Sequence, residues 1–334
     1  MASPTYLAVD VMGGDESPHS FVHATLFFLK SHPHTSVLLY GSDTVIAAAK
    51  QNPHAKPLLS RLQFIVAEQV VAPDEKPSSA LRKKQQSSMW LALHAVAQGR
   101  ADAALSAGNT GALMVMARYL LGMLKGIDRP AICKRMPVRG ASCYVLDLGA
   151  NLTASALQLE QFALIGAALA EVEGVVPAKV GLLNIGEEHQ KGTEVLREAD
   201  QRLRDNTRYS YQGFVEGNAM FDGRVNVVVC DGFTGNIALK ASEGLARYLI
   251  RDLKRYFGST PWRRVLGFCA RLLASGWFKR LNPADYNGAL LAGLNGVVIK
   301  SHGGADQAAF SAALQMTCEQ AQRKPHLLLA TWLD

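Results

Sequence analysis

The chain has 334 residues, 49% hydrophobic and 19% charged. That composition supplies a large buried core and excludes a disordered or fibrous protein. A net charge of +7 suits an acidic partner, an anionic substrate or a membrane surface without choosing among them. No apolar run is long enough to cross a bilayer. The segment MASPTYLAVD lacks the basic stretch and apolar core of a secretion signal. Five cysteines without a C-x-x-C pair favour reduced thiols in a cytosol. Cys143 and Cys230 stand in apolar runs, as buried inert thiols do.

Thr5 to Val9 reads as a strand ending in the polar turn Asp10-Val-Met-Gly13-Gly14-Asp15, and a helix with Phe21, Leu26 and Leu29 follows. Val37 to Tyr40 and Leu62 to Val66 are further strands. The spacing of Leu81, Met89, Leu93 and Val96 predicts one long helix over Ser78 to Gln98, with Arg82-Lys83-Lys84 on a solvated face. Ala103 to Ser106 is a strand that turns through Gly108, Asn109, Thr110 and Gly111 into a helix over Ala112 to Leu124. Cys143 to Leu146 runs into Asp147-Leu-Gly-Ala-Asn151, and Lys179 to Asn184 runs into a loop carrying Glu187, Glu188, His189, Lys191 and Gly192.

Val225 to Cys230 is a β-branched run, as expected of a strand buried on both faces. It stops at Asp231-Gly232, and Gly235-Asn236 opens a helix bearing Lys240 one turn in. On that helix Leu245, Tyr248 and Leu249 recur at helical spacing, while Arg247, Arg251, Lys254 and Arg255 share the other side. Trp262 to Phe278 carries an apolar stripe of Trp262, Val265, Leu266, Cys269, Leu272, Leu273 and Trp277 beside Arg263, Arg264 and Arg271. Such a helix either lies on an anionic membrane, with Trp262, Leu266, Trp277 and Phe278 as contacts, or fills a core or subunit interface. Val297 to Lys300 ends in Ser301-His302-Gly303-Gly304, followed by a last helix from Ala305.

Strands alternating with helices, with glycine turns at strand carboxyl ends, predict an α/β fold on a parallel sheet whose ligand binds where those turns converge. There is no H-E-x-x-H, G-x-S-x-G, Walker lysine motif or G-x-G-x-x-G after a strand. The Glu187-Glu188-His189 run reads as a solvated turn rather than a metal site. His302 reads equally as an acid or base and as a turn residue held by backbone. What remains is Asn109, Asn151, Asn184, Asn236, Lys191, Lys240 and Lys300 at strand ends. These are donors for a phosphate or an oxyanion without an enzyme nucleophile, which favours phosphate itself as a reactant.

The motifs VDVMGGDESP, SAGNTGALM, VLDLGAN, GLLNIGEEHQKG, VVVCDGFTGNIALKASEG and GVVIKSHGGAD, in this order, resemble the bacterial phosphate acyltransferase (PlsX) family. The resemblance covers nearly the whole chain. It implies one large domain over 1–334, a Rossmann-like three-layer sheet similar to isopropylmalate dehydrogenases and phosphotransacetylases, and a protruding amphipathic segment over 258–285. The implied reaction converts acyl-[acyl carrier protein] and inorganic phosphate to acyl phosphate and free carrier, feeding phospholipid synthesis. No metal, nicotinamide or nucleic acid is implied. The family also implies a homodimer in the cytoplasm, peripherally attached to the inner face of the membrane or to the membrane glycerol-3-phosphate acyltransferase. Carried over residue by residue, Lys191 and Asn236 are the expected catalytic positions. Asp10, Gly13, Gly14, Asn109, Thr110, Asn151, Asn184, Asp231, Lys240 and His302 are the expected lining of the same cleft. Asn287 departs from the family's usual glycine, and Cys133 to Ser142 has no assigned role. A phosphotransacetylase working on a short acyl-CoA and a non-catalytic acyl- or membrane-binding regulator are the alternatives.

Overall fold

The computed structural model describes residues 4–138, 141–273 and 286–333. The first part of the chain forms β1 (Thr5–Asp10), α1 (Pro18–Ser31), β2 (Thr35–Gly41), α2 (Asp43–Gln51), β3 (Leu62–Val66), α3 (Pro77–Lys83), α4 (Ser88–Ala97), β4 (Ala103–Ser106) and α5 (Thr110–Leu121). The middle forms β5 (Ala131–Val138), β6 (Ala141–Leu146), α6 (Ala156–Val172), β7 (Lys179–Leu183), α7 (Glu194–Arg204), β8 (Ser210–Val215), α8 (Ala219–Asp222), β9 (Val227–Val229), α9 (Gly232–Gly258) and α10 (Pro261–Leu273). The chain then adds β10 (Ala289–Ala292), β11 (Val297–Lys300), α11 (Gln307–Arg323) and α12 (Pro325–Leu333).

Successive strand residues point to opposite faces, and here the two parities enter two separate cores. Leu7 and Val9 go to one and Ala8 to the other; Val227 and Val229 separate from Val228, and Val297 and Ile299 from Val298. Helices cover both faces, so the strands read as unbroken apolar runs.

The sheet order among the described residues is β3-β2-β1-β4-β11-β10-β5-β6-β9-β7-β8. β3, β2, β1, β4 and β11 are mutually parallel, and so are β6, β9, β7 and β8. The expected three-layer α/β architecture is present, but its centre is mixed. β10 is antiparallel to β11 and β5, and β5 is antiparallel to β6. The short connection from Val138 to Ala141 permits only an antiparallel return, since a parallel pair needs a crossover. The stretch left without a role in the sequence is therefore the strand that joins the two parallel blocks.

The long helix expected over Ser78 to Gln98 is two helices. Lys84 leaves helical geometry at φ −115° and ψ 38°. Ser87 then caps α4 by accepting from the Trp90 N–H at 3.3 Å, so a new helix start outcompetes continuation. The helix expected from Gly235 starts earlier, at Gly232, because Asp231 caps it. Within the amphipathic segment, Trp262 is 70% exposed and Leu266 44% exposed on α10. Trp277 and Phe278 lie outside the described residues.

Candidate active site

β5 carries the two blocks offset along its length. Its Ala131–Cys133 half pairs with β10, and its Lys134–Val138 half with β6. Lys300 at the end of β11 pairs with Ala289, the residue before Leu290, which pairs with Cys133. From the other side, Leu146 ends β6 one step past Val145, which pairs with Lys134. The two blocks run in opposite directions, so their carboxyl edges meet at the middle of β5. A cleft of about 580 Å³ opens there, a volume that suits a small-molecule site.

Glycines let the walls close. A Cβ on Gly235 would come within 2.0 Å of the Asp147 carbonyl oxygen, and one on Gly232 within 2.4 Å of that of Asn151. Only glycine lets the start of α9 seat directly on the Asp147–Asn151 turn. That turn is wound around one carboxylate. Asp147 Oδ1 accepts from the N–H groups of Ile132, Gly149 and Ala150, and Oδ2 from Asn151 N and Nδ2. The seating leaves Asn236 beside Gly149. In the other block Gly13 meets Gly108 at a distance a Cβ would close to 2.4 Å, and this brings the β1 and β4 turns back to back.

Of the residues expected to line the site, Thr110, Asn236, Lys240 and His302 face the cleft together with Gly149. Others hold the turns from behind. Asp10 is 1% exposed, accepts from Ser106 Oγ at 2.7 Å and from Met12 N at 3.0 Å, and burial raises its carboxyl above the ordinary value. Asn109 caps α5 through Ala112 N and donates to the carbonyls of Pro73 and Glu75. Asn151 donates to Pro130 O, and Asp231 accepts from Thr234 N at 2.8 Å. Gly14 packs against the Gly303 carbonyl, to which Asp15 N donates at 2.8 Å. Asn184 donates to Lys191 O at 3.2 Å and so shapes the loop of Lys191. Lys191 itself is exposed and sits 2.8 Å from Glu188, which raises its ammonium pKa and lowers that of Glu188. That loop stands outside the cleft lining.

The cleft also holds Lys134, Glu243 and Asn287, which the sequence did not place in a site, and Lys300, one of the strand-end donors expected there. Lys134 from β5 and Lys240 from α9 both bind Glu243, at 3.1 and 3.3 Å. Lys300 closes the floor, with Nζ donating to Ala107 O at 3.1 Å and also to Ser301 O. Burial lowers its pKa to about 8. Asn287, buried, binds Ser301 Oγ and Ala309 O through Nδ2 and accepts from His302 N. Lys134 had a signal of its own, a cation directly after the apolar Ala131-Ile-Cys133 run. Chemically this is a cation-rich pocket, lined by Lys134, Lys240, Arg247 and Lys300 with Glu243 and Asp306 as its carboxylates, and it suits a multiply charged anion. No group of three or more His, Cys, Asp or Glu that could hold a metal is present among the described residues.

The family model for "Fatty acid synthesis protein" matches residues 5–327. The phosphate acyltransferase of Saccharophagus degradans is 46% identical over 321 residues, covering 96% of this chain and 93% of that protein. That of Teredinibacter turnerae is 44% identical over 320 residues, covering 96% of each. Among solved structures, the EutD phosphotransacetylase from Staphylococcus aureus superposes with a TM-score of 0.61 at 16% identity, covering 95% of this chain and 94% of that one. A branched-chain phosphotransacylase from Enterococcus faecalis gives 0.62 at 12% identity, covering 95% and 99%. These structural likenesses concern the fold.

Proposed function

The chain belongs to the fatty acid synthesis protein family, and from that premise we propose that its cleft transfers an acyl group from acyl carrier protein to inorganic phosphate, for phospholipid synthesis. The observation that carries this reading is the convergence of Lys134, Lys240, Lys300, His302 and Asn236 where the two carboxyl edges meet. Phosphate is held by the lysines, and Glu243 keeps two of them in place. An oxygen of phosphate attacks the thioester carbonyl carbon, and the carbon–sulfur bond breaks with its electron pair on sulfur. Fixing both reactants in one complex supplies much of the rate. Asn236, in the first turns of α9, adds an amide donor beside the helix amino terminus. Lys191, on the loop after β7, supplies a cation for the charge that develops on the thioester oxygen.

The test is acyl-phosphate formation from purified carrier-protein and CoA thioesters. Phosphate-dependent product from the carrier donor supports the reading, and turnover only with short acyl-CoA overturns it. Lys191→Ala and Asn236→Ala are each expected to lower kcat about 10²–10³-fold, the usual cost of one preorganised donor. A folded variant with near-normal turnover would remove that residue from the mechanism.

Exposed surface supports two partner assignments. α9 buries only Gly232 and Gly235 and leaves Phe233, Ile237, Leu245, Tyr248 and Leu249 exposed. We assign that face to a second copy of the chain. We assign the exposed Trp262, Val265, Leu266 and Phe268 of α10 to a membrane surface, where an apolar acyl phosphate is delivered. No helix among the described residues is long and apolar enough to cross a membrane.

A further inference from the structure

We propose that His302 donates a hydrogen bond from Nε2–H, as a neutral imidazole, to the thioester carbonyl oxygen during acyl transfer. The inference rests on the reading of the cleft as a phosphate acyltransferase site. The backbone N–H of Gly304 donates to His302 Nδ1 at 3.1 Å, and a backbone amide can only donate. Nδ1 is therefore the acceptor, and the ring proton sits on Nε2. Nε2 lies 3.4 Å from Lys240 Nζ. With Nε2 protonated, neither atom accepts from the other. Glu243 Oε2, 3.3 Å from the Lys240 ammonium, holds it there. Two donors thus converge on the same volume of the cleft, and a carbonyl oxygen gaining charge in that volume takes a bond from each.

The surroundings disfavour the charged ring. Burial pushes the His302 pKa below its ordinary value, and Lys240, Lys300 and Lys134 act in the same direction against Glu243. The pose is fixed by Asn287, a positioning residue, whose Oδ1 accepts from His302 N at 3.0 Å. Its Nδ2 ties the turn to Ser301 Oγ at 2.8 Å and to Ala309 O of α11 at 2.9 Å. Every hydrogen-bonding atom of that buried amide is thereby engaged.

The step balances without any proton leaving the imidazole. An oxygen of hydrogen phosphate forms the new carbon–oxygen bond, and the carbonyl π pair moves onto the oxygen beneath the two donors. Collapse restores the carbonyl and breaks the carbon–sulfur bond. The proton that hydrogen phosphate brought ends on the departing thiol.

Two measurements test this. Nitrogen-15 NMR of the imidazole is expected to show the Nε2–H tautomer at neutral pH. An Nδ1–H tautomer or an imidazolium overturns the assignment, with no variant needed. In kinetics, His302→Ala is expected to lower kcat about 10²–10³-fold while the KM for phosphate stays within about twofold. His302→Gln restores a neutral donor and is expected to recover at least about tenfold of the loss. An equal loss in both variants, a phosphate KM that rises while kcat is kept, or unimpaired His302→Ala in the presence of active wild type each overturns the role of His302 alone. A wild-type protein that makes no acyl phosphate overturns the reading of the site together with it.

Discussion

Lys300 is a cation folded back on the backbone, half-buried at the end of β11 and donating to Ala107 O and Ser301 O. Burial costs the charged form, and its pKa drops to about 8, with Asp15 and Asp10 opposing the drop. The sign follows directly: the ammonium is present below about 8 and lost above. A phosphate site that needs this charge therefore weakens as pH rises from about 7 to about 9, so the KM for phosphate is expected to climb over that window. Lys300→Gln is expected to start with a raised KM and show no such climb. A wild-type KM that falls or stays flat across the window would remove Lys300 from phosphate binding. Residues of this kind were only partly legible in the sequence. Glycine turns and their asparagines declare themselves locally. The Lys134–Glu243 pair does not, because its partners are 109 positions apart and meet only once α9 is seated on the Asp147 turn.

α9 and α10 pose the opposite question, for they expose what sequence patterning would bury. Phe257 packs on Gly267, so α10 folds back against α9, and Leu245, Tyr248 and Leu249 of α9 and Trp262, Val265 and Leu266 of α10 are exposed. Burying a leucine contributes about 1.5–3 kcal/mol. Leu245→Glu with Leu249→Glu is therefore expected to weaken a dimer by about 10²–10⁴-fold, read by analytical ultracentrifugation. Leu266→Glu is expected to abolish sedimentation with anionic liposomes while the dimer persists. Dissociation by Leu266→Glu would instead make α10 part of the subunit interface. The amphipathic pattern of both helices was plain in the sequence; what covers it was not, since core, partner and bilayer ask for the same stripe. The break at Lys84 was written in the Ser87 cap signal, which a regular apolar spacing across the gap concealed.

At the scale of the molecule, Arg251, Lys254 and Arg255 form an exposed basic face on α9, continuous with Arg247 at the cleft. An acidic carrier protein is steered by such a face, and the steering is screened over about 10 Å at 0.1 M salt. Arg251→Glu with Lys254→Glu is expected to raise the KM for the carrier severalfold and flatten its salt dependence, with the KM for phosphate unchanged. Unaltered carrier kinetics would place docking elsewhere. The strands β1, β4, β6, β7, β9 and β11 and the turns that end them were readable from the sequence, because each is a local pattern; the helices α6 and α7 that follow two of them were not singled out. The order of strands was not readable, because β11 reaches β4 only after the whole second block has been laid down. That excursion has a consequence for synthesis on the ribosome. Until Val297–Lys300 emerges, β4 presents an unpaired apolar edge that nothing upstream can close, and such edges recruit other chains. A chain stopped short of β11 is then not a smaller enzyme but a sticky, half-closed sheet, and the cell's burden of folding assistance falls on the last tenth of translation.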